Sequence, residues 1–156
     1  MNWPKQVPVL SPEQIIARER WMRLWHEVLP NRFGLIEKFN HGFPAKQLER
    51  SAGARTRTLE VGAGLGEHAA WEDLSAQEYI MLEYREDWAE GLRARHPGLT
   101  SLHGDIQAQL DFPAGSFDRV IAIHVLEHLP DLPSALREIF RLLSPGGQFG
   151  RSVDPL

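Results

Sequence analysis

The sequence contains no cysteine, no long apolar run and no strong excess of either charge. Without cysteine, neither a disulfide nor a thiolate zinc site can form. The segment from Met1 to Lys5 lacks the apolar core of a secretory signal, and no apolar run approaches membrane-spanning length. The 17 basic and 21 acidic side chains give a formal charge of −4, without the basic footprint of a nucleic-acid-binding protein. These absences predict a cytoplasmic protein with neither a nucleic-acid partner nor a membrane partner.

The composition is that of a folded domain. The 156 residues are enough to bury a core, and 42% hydrophobic with 24% charged residues is ordinary for a globular protein. No internal repeat or low-complexity tract interrupts the chain.

The segment Ser11-Pro12-Glu13-Gln14 predicts the start of a helix. Ser11 suits the N-cap, proline suits the first helical position, and Gln14 completes a capping box. The helix is predicted to run to about Leu29 and to stop before Pro30, because proline breaks the hydrogen-bond ladder.

Two tryptophans, Trp21 and Trp25, lie on this helix, which therefore should pack on something. It either packs on its own domain or covers a ligand site as a lid, and the sequence leaves both readings open. After it, a short helix is predicted near residues 33–39, followed by a loop.

From residue 57 onward, apolar strands and amphipathic helices alternate, which is typical of a parallel α/β sheet. The predicted elements are strands at 57–61, 79–83, 100–103, 118–124 and after Pro145-Gly146-Gly147, with helices near 66–74, 85–95 and 132–143.

The most informative segment is Thr58-Leu-Glu-Val-Gly-Ala-Gly-Leu-Gly-Glu-His68, a buried strand that runs into a glycine-rich turn. Such a corner binds nucleotides, because glycine lets a ligand approach the backbone closely. A dinucleotide fold requires G-x-G-x-x-G, and its third glycine would fall at Glu67. The pattern present is instead Glu60-x-Gly62-x-Gly64-x-Gly66.

This pattern closely resembles motif I of the class I (Rossmann-like) S-adenosylmethionine-dependent methyltransferases. The resemblance spans about residues 57–150 and implies an α/β three-layer sandwich with a parallel sheet of order 3-2-1-4-5. It divides the chain into an N-terminal arm and helical cap, 1–54, and a cofactor-binding domain, 55–156, packed as one unit. Ser144-Pro-Gly-Gly147 matches the turn that precedes the family's fifth strand.

Several residues acquire cofactor-binding roles from the resemblance. Glu83 ends the second strand, 19 residues past Gly64, where a carboxylate can accept hydrogen bonds from both ribose hydroxyls. Asp105 matches the residue that binds the adenine amino group. Their alternatives are a surface carboxylate and a turn residue. The predicted cofactor-binding set is Glu60, Gly62, Ala63, Gly64, Gly66, Glu83, Tyr84, Asp105, Ile106 and His124.

Glu60 lies inside the first strand, where burying a carboxylate without a partner is costly. In the family this position orients the glycine loop and, through the loop or water, the methionine end of the cofactor. Structural support is therefore its expected role.

His124-Val-Leu-Glu-His128 matches the H-x-x-E-H signature of zinc proteases. That reading needs both histidines on one helical turn and a third ligand, whereas Pro130 follows closely, so no metal is expected. The resemblance instead implies that the segment lines the pocket near the transferred methyl group. His124 then contacts the cofactor or acts as the catalytic base. The alternative is a strand-end histidine satisfied by backbone, and His128 is expected to be structural.

The family sheet normally has seven strands, and this sequence has none left for the last two. We therefore expect an exposed sheet edge that favours a homodimer or a completing partner. The predicted activity is methyl transfer to an O, N or C nucleophile of a small-molecule acceptor. The alternatives are a non-catalytic S-adenosylmethionine-binding fragment or subunit and, less favoured, an NAD-dependent oxidoreductase.

Overall fold

A computed structural model of the protein describes residues 9–32, 38, 40–42, 44–45 and 55–152. Its centre is a sheet of five parallel strands in the order β3-β2-β1-β4-β5. The strands are β1 (Thr56–Val61), β2 (Gln77–Glu83), β3 (Thr100–His103), β4 (Phe117–Ile123) and β5 (Leu143–Ser152). The helices are α1 (Pro12–Arg32), α2 (Glu86–Arg95) and α3 (Leu132–Leu142), with short 3-10 helices at His68–Trp71 and Leu126–His128. The predicted fold class and strand order are confirmed.

The core has two layers because neighbouring side chains of a strand point to opposite faces of the sheet. On one face, Leu59 of β1 belongs to the same buried cluster as Ile139 of α3. On the other face, Met81 of β2 clusters with Leu92 of α2. Helices therefore cover both faces of the central strands, as the parallel topology requires.

The predicted capping box at the start of α1 is present. The backbone N–H of Gln14 donates to Oγ of Ser11 at 3.3 Å, and the Ser11 N–H donates to Oε1 of Gln14 at 2.9 Å. The predicted end at Leu29 is wrong, because the helix continues through Pro30 to Arg32. Pro30 therefore lies within the last turn of the helix, where it removes one N–H donor without ending the helix. Within the described ranges, no helix is long and apolar enough to cross a membrane.

The segments on either side of β1 also differ from expectation. Residues 40–42 and 44–45 are helical where a loop was predicted, whereas most of the predicted helix 33–39 lies outside the described residues. The helix predicted at 66–74 is reduced to a single 3-10 turn, His68–Trp71. Gly66 has φ +87° before this turn, and Glu72 is extended with φ −93° and ψ 145° after it, so both ends are closed.

β5 begins earlier than predicted, at Leu143 rather than after Pro145-Gly146-Gly147. Phe117 pairs with Leu143 and Arg119 pairs with Gln148, so extra residues of β5 bulge out between these two positions. Gly146 takes φ +81° inside this bulge, a conformation that glycine adopts freely. Among the described residues, β3 and β5 form the two edges of the sheet.

Candidate functional site

A cavity of about 550 Å³ opens at the carboxyl ends of the central strands. It lies beside the ends of the neighbouring strands β1 and β4, where the strand order reverses, which is the switch point at which parallel α/β sheets bind ligands. Nine of the ten predicted site residues line it: Glu60, Gly62, Ala63, Gly64, Glu83, Tyr84, Asp105, Ile106 and His124. Gly66, the tenth, lies behind the wall, where an added Cβ would collide with His96 and Leu92.

The glycine loop needs its glycines for both conformation and space. Gly62, Gly64 and Gly66 have φ values of +65°, +59° and +87°, in the left-handed region that other residues avoid. A Cβ on Gly62 would also lie 2.5 Å from Cγ2 of Val125. The loop is thus packed closely against the segment that follows β4, and its backbone forms one wall of the cavity.

Glu83 joins the glycine loop to the end of β2. Its Oε2 accepts the backbone N–H of Gly64 at 2.9 Å, and its Oε1 accepts the N–H of Arg85 at 2.9 Å. Burial raises the pKa of Glu83, while the backbone hydrogen bonds from Arg85 and Gly64 oppose that rise. Each carboxylate oxygen has a further lone pair and can accept a hydroxyl from a ligand in the cavity.

Asp105 shows the turn role that was its predicted alternative, and it lines the cavity as well. Its Oδ1 accepts a hydrogen bond from the backbone N–H of Gln107 at 2.8 Å and another from the side-chain amide of the same residue at 3.1 Å. Ile106 beside it is buried, whereas Tyr84 is 65% exposed. The side chain of Asp105 is therefore held in place at the cavity wall before any ligand binds.

Glu60 is a buried carboxyl group at the floor of the cavity, with 3% of its surface exposed. The hydroxyl of Tyr79 donates to its Oε2 at 2.9 Å. Burial raises the pKa of Glu60 to about 8, so the group carries a proton at neutral pH. If a cation bound in the cavity, Glu60 could therefore release its proton, and the resulting carboxylate would balance the charge of the cation.

His124 follows β4 with φ 53°, the one described residue other than glycine with a positive φ. Nδ2 of Asn40 lies 3.0 Å from its Nε2, and Oε1 of Glu127 lies 3.7 Å from its Nδ1. Both of these neighbours are side chains. The described residues include no group of three histidine, aspartate or glutamate side chains arranged to hold a metal ion.

The structure also brings together a polar chain that the sequence analysis missed. Nδ1 of His41 lies 3.0 Å from Nδ1 of His68, whose Nε2 lies 2.8 Å from Oε1 of Glu72. Arg119 binds both oxygens of Glu72, at 2.7 and 2.9 Å. His41 and His68 line the cavity, so the chain runs from a buried ion pair to the cavity surface.

The contacts of these polar side chains determine their charge states. Burial raises the pKa of Glu72, but hydrogen bonds from His68, Arg119 and Gln77 outweigh burial and hold that pKa at about 2. Burial and the nearby His68 and His124 lower the pKa of His41 to about 4. The four-residue spacing of His68 and Glu72 was a detectable signal, whereas His41 stood in a predicted loop and carried none.

Helix α1 contributes to the cavity as well. Arg18 and Trp21 line it, and Glu19 lies 3.6 Å from Arg85 in an ion pair. The same contacts therefore fit both predictions for this helix, that it packs on its own domain and that it covers a ligand site. Trp25 lies in the part of the helix whose side chains are outside the description.

Comparison with known proteins bears directly on this cavity. Residues 59–150 match a family described as a methyltransferase domain. The chain is 40% identical, over 148 residues, to a probable S-adenosylmethionine-dependent methyltransferase of Mycolicibacterium smegmatis, covering 94% of this chain and 51% of that one. It is 38% identical over 103 residues to sterol 24-C-methyltransferase of Aspergillus fumigatus, covering 60% of this chain and 26% of that one.

The fold has a counterpart of known structure in the YcgJ protein of Bacillus subtilis. The two superpose with a TM-score of 0.65 and 27% identity, over 71% of this chain and 48% of that one. The chain thus spans about half the length, or less, of the curated relatives it matches.

Proposed function

This chain belongs to the methyltransferase-domain family, and from that premise we propose that it binds S-adenosylmethionine and transfers the methyl group to a small-molecule acceptor. The observation that carries the proposal is the convergence of Glu60, the glycine loop, Glu83 and Asp105 on one cavity. They come from three separate segments of the sequence, namely the end of β1 with its glycine loop, the end of β2 and the turn after β3, and the parallel sheet brings these segments together.

The residues present suit this cofactor. A cavity of about 550 Å³ is within the range of small-molecule sites. Glu83 would hold the ribose hydroxyls, and Asp105 with Ile106 and Tyr84 would hold the adenine. The backbone from Gly62 through Ala63 to Gly64 would meet the methionine end.

Glu60 and Gly66 support that site from behind. Gly66 keeps the loop in its turn because any side chain there would strike His96 and Leu92. Glu60 faces the same cavity, and with a pKa of about 8 it can release its proton and become the counter-charge of the ammonium at the methionine end. His124 would contact the cofactor near the methyl group, as the resemblance implies.

The cofactor, when bound, supplies a methyl group already activated by the positive sulfonium. The contribution of the chain is alignment of the acceptor with that group and exclusion of water. Arg18 and Trp21 of α1 cover the cavity, and the ion pair between Glu19 and Arg85 anchors the helix. These contacts support the proposal that the cap, residues 1–54, and the domain, residues 55–156, pack as one unit.

The acceptor is proposed as a small molecule because the net charge of −4 does not favour a nucleic acid. The sterol relative is named for methylation at carbon, whereas the predicted chemistry here includes oxygen, nitrogen and carbon nucleophiles. The edge strand β5 is the proposed surface for a second copy or a completing partner.

The second candidate is an S-adenosylmethionine-binding subunit that does not turn over. Transfer of a labelled methyl group to any member of a panel of alcohols, phenols and amines would exclude it. The third, an NAD-dependent oxidoreductase, is opposed by Glu67 at the position of the third glycine. Binding of NADH without binding of S-adenosylhomocysteine would reverse this ranking.

A further inference from the structure

We propose that Arg119 is a positioning residue that fixes the acceptor side of the cavity. It does so by holding residues 40–42 and 44–45, here called the wall segment, against the sheet. The inference rests on the proposed methyl transfer, because it concerns where the acceptor lies relative to the transferred group. Arg119 acts through other residues and is therefore not a catalytic residue.

The wall segment forms part of the cavity through His41. This histidine lines the cavity, and it and Asn40 are each 8% exposed. Nδ2 of Asn40 lies 3.0 Å from Nε2 of His124, the cavity residue that is proposed to lie near the methyl group. The residues proposed to hold the adenosine and the methionine end come instead from the ends of β1 and β2 and from the turn after β3. The wall segment therefore borders the part of the cavity that remains for the acceptor.

Arg119 reaches the wall segment directly from the middle of the sheet. Its Nη2 donates to the carbonyl of Pro44 at 2.8 Å. The backbone of Arg119 pairs with Thr58 of β1 on one side and with Gln148 of β5 on the other, so the side chain starts from a fixed point. Arg119 is 2% exposed, and water therefore competes little for its hydrogen bonds.

A second path joins Arg119 to the wall segment through Glu72 and His68. The guanidinium donates to both carboxylate oxygens of Glu72, at 2.7 and 2.9 Å. Because Glu72 has a pKa of about 2, it is a carboxylate at neutral pH and only accepts hydrogen bonds. Nε2 of His68, 2.8 Å from Oε1 of Glu72, is therefore the donor. Nδ1 of His68 lies 3.0 Å from Nδ1 of His41, and one proton between these two atoms makes the hydrogen bond.

The ion pair is better explained by orientation than by stability. A buried ion pair adds little to stability compared with apolar side chains of similar volume, because both charges lose their hydration. A guanidinium, however, presents its donors in a rigid plane. One such group therefore determines the position of the Glu72 carboxylate and that of the Pro44 carbonyl together.

Methyl transfer depends on such positioning, since the acceptor atom must lie in line with the carbon–sulfur bond. Misplacement by about 1 Å can lower a rate by about a hundredfold. The wall segment is held at Pro44 and again at His41. The His41 ring also stacks on Trp71, with centroids 6.0 Å apart and planes 12° apart. A bound acceptor would therefore meet a surface of fixed position.

Arg119→Lys tests the proposal because it keeps the positive charge beside Glu72. The single nitrogen of lysine cannot reproduce the planar group that serves the carboxylate and the Pro44 carbonyl together. In the cofactor-free chain, we expect the backbone amides of the wall segment to exchange with solvent about tenfold to a hundredfold faster, the worth of a hydrogen bond from a charged group. The ring-nitrogen NMR signals of His124 should shift as well, because its neighbour Asn40 moves with the segment.

Arg141→Lys is the matched control, since Arg141 also serves a carboxylate and a carbonyl. It donates to both oxygens of Glu138, at 2.6 and 2.7 Å, and to the carbonyl of Phe112 at 2.8 Å. As the described residues form it, the cavity is lined by neither Arg141 nor Glu138. Arg141→Lys should leave the exchange of the wall segment and the His124 signals at their wild-type values. The same result for a folded Arg119→Lys would overturn the proposal.

His68→Asn covers the case in which Arg119→Lys does not fold. Asparagine is too short to join Glu72 to His41, whereas the ion pair and the contact of Arg119 with Pro44 remain. Exchange should then become faster around His41 and change less at the Pro44 end of the segment. Wild-type exchange throughout the wall segment of His68→Asn would contradict the proposed anchoring.

Kinetics separate positioning from stability. S-adenosylhomocysteine should bind Arg119→Lys with wild-type affinity in a calorimetric titration. With S-adenosylmethionine and a panel of alcohols, phenols and amines, Arg119→Lys should lower kcat by about tenfold to a hundredfold at unchanged KM for the cofactor. Wild-type kcat, or a parallel loss of cofactor affinity, would refute the positioning role. Absence of S-adenosylhomocysteine binding by the wild type would instead refute the proposed function, and the exchange experiment would still decide whether Arg119 anchors the wall segment.

Discussion

The backbone N–H of Gly64 donates a hydrogen bond of 2.9 Å to Oε2 of Glu83. This contact joins the loop after β1 to the end of β2, two segments 19 residues apart. It explains why the glycine loop and the acidic strand end belong to one site. The carboxylate that is proposed to hold the ribose also shapes the loop that is proposed to hold the methionine end.

Glu83→Gln should weaken binding of S-adenosylhomocysteine by about tenfold to a hundredfold, the worth of a hydrogen bond to a charged group. The amide places N–H donors where the backbone of Gly64 or Arg85 also donates. Calorimetric titration measures the change, and Glu90→Gln on the exposed side of α2 is the matched control. Equal affinity of Glu83→Gln and wild type would contradict the ribose role.

Glu60→Gln should raise the melting temperature at pH 8 and change it little at pH 5. Burial raises the pKa of Glu60 from 4.5 to about 8, so the folded chain keeps a proton that the unfolded chain has released between these values. The free energy of unfolding therefore falls as pH rises through this window, and the glutamine variant escapes that loss. Thermal melts at both pH values test this, with the 54% exposed Glu78→Gln as control.

Binding of S-adenosylhomocysteine at pH 7 should release a proton. Its ammonium, placed near Glu60, favours the carboxylate and lowers a pKa that stands at about 8 in the free protein. The heat of binding should then depend on the ionisation enthalpy of the buffer for wild type and lose that dependence in Glu60→Gln. Buffer-independent heats for wild type would place the ammonium elsewhere.

Arg119→Met should destabilise the protein by about 3–5 kcal/mol, because it leaves the buried carboxylate of Glu72 without its main partner. The wild type should also lose stability as pH falls from 4.5 toward 2, since the folded-state pKa of Glu72 is lowered to about 2. Urea denaturation measures both effects. Arg95→Met, at a 58% exposed side chain, should change stability by less than about 1 kcal/mol.

The sequence predicts the framework because the framework depends on local patterns. Apolar runs bounded by glycine and proline locate the strands, and β3 has its predicted bounds. The capping box of Ser11 and Gln14 is likewise a local signal and is present as predicted. The Rossmann-like strand order came from the resemblance and is confirmed by the sheet.

What the sequence missed depends on long-range contacts. The polar chain at the cavity joins His41 to His68 across 27 residues, and Glu72 to Arg119 across 47. No spacing rule connects positions so far apart. The early start of β5 is similar, because Leu143 becomes part of the strand through pairing with Phe117 on β4 rather than through its own neighbours. Tertiary pairing outweighed the local Pro145-Gly146-Gly147 signal there.

The central claim is that the cavity binds the adenosyl cofactor, and titration of the purified chain with S-adenosylhomocysteine tests it most directly. Gly64 lines the cavity with φ +59°, so Gly64→Arg should fill it, whereas an added Cβ on Gly98 meets nothing within 4 Å. We expect saturable binding for wild type and Gly98→Arg, and none for Gly64→Arg that folds by circular dichroism. Absence of binding to folded wild type, or equal binding to Gly64→Arg, would contradict the account.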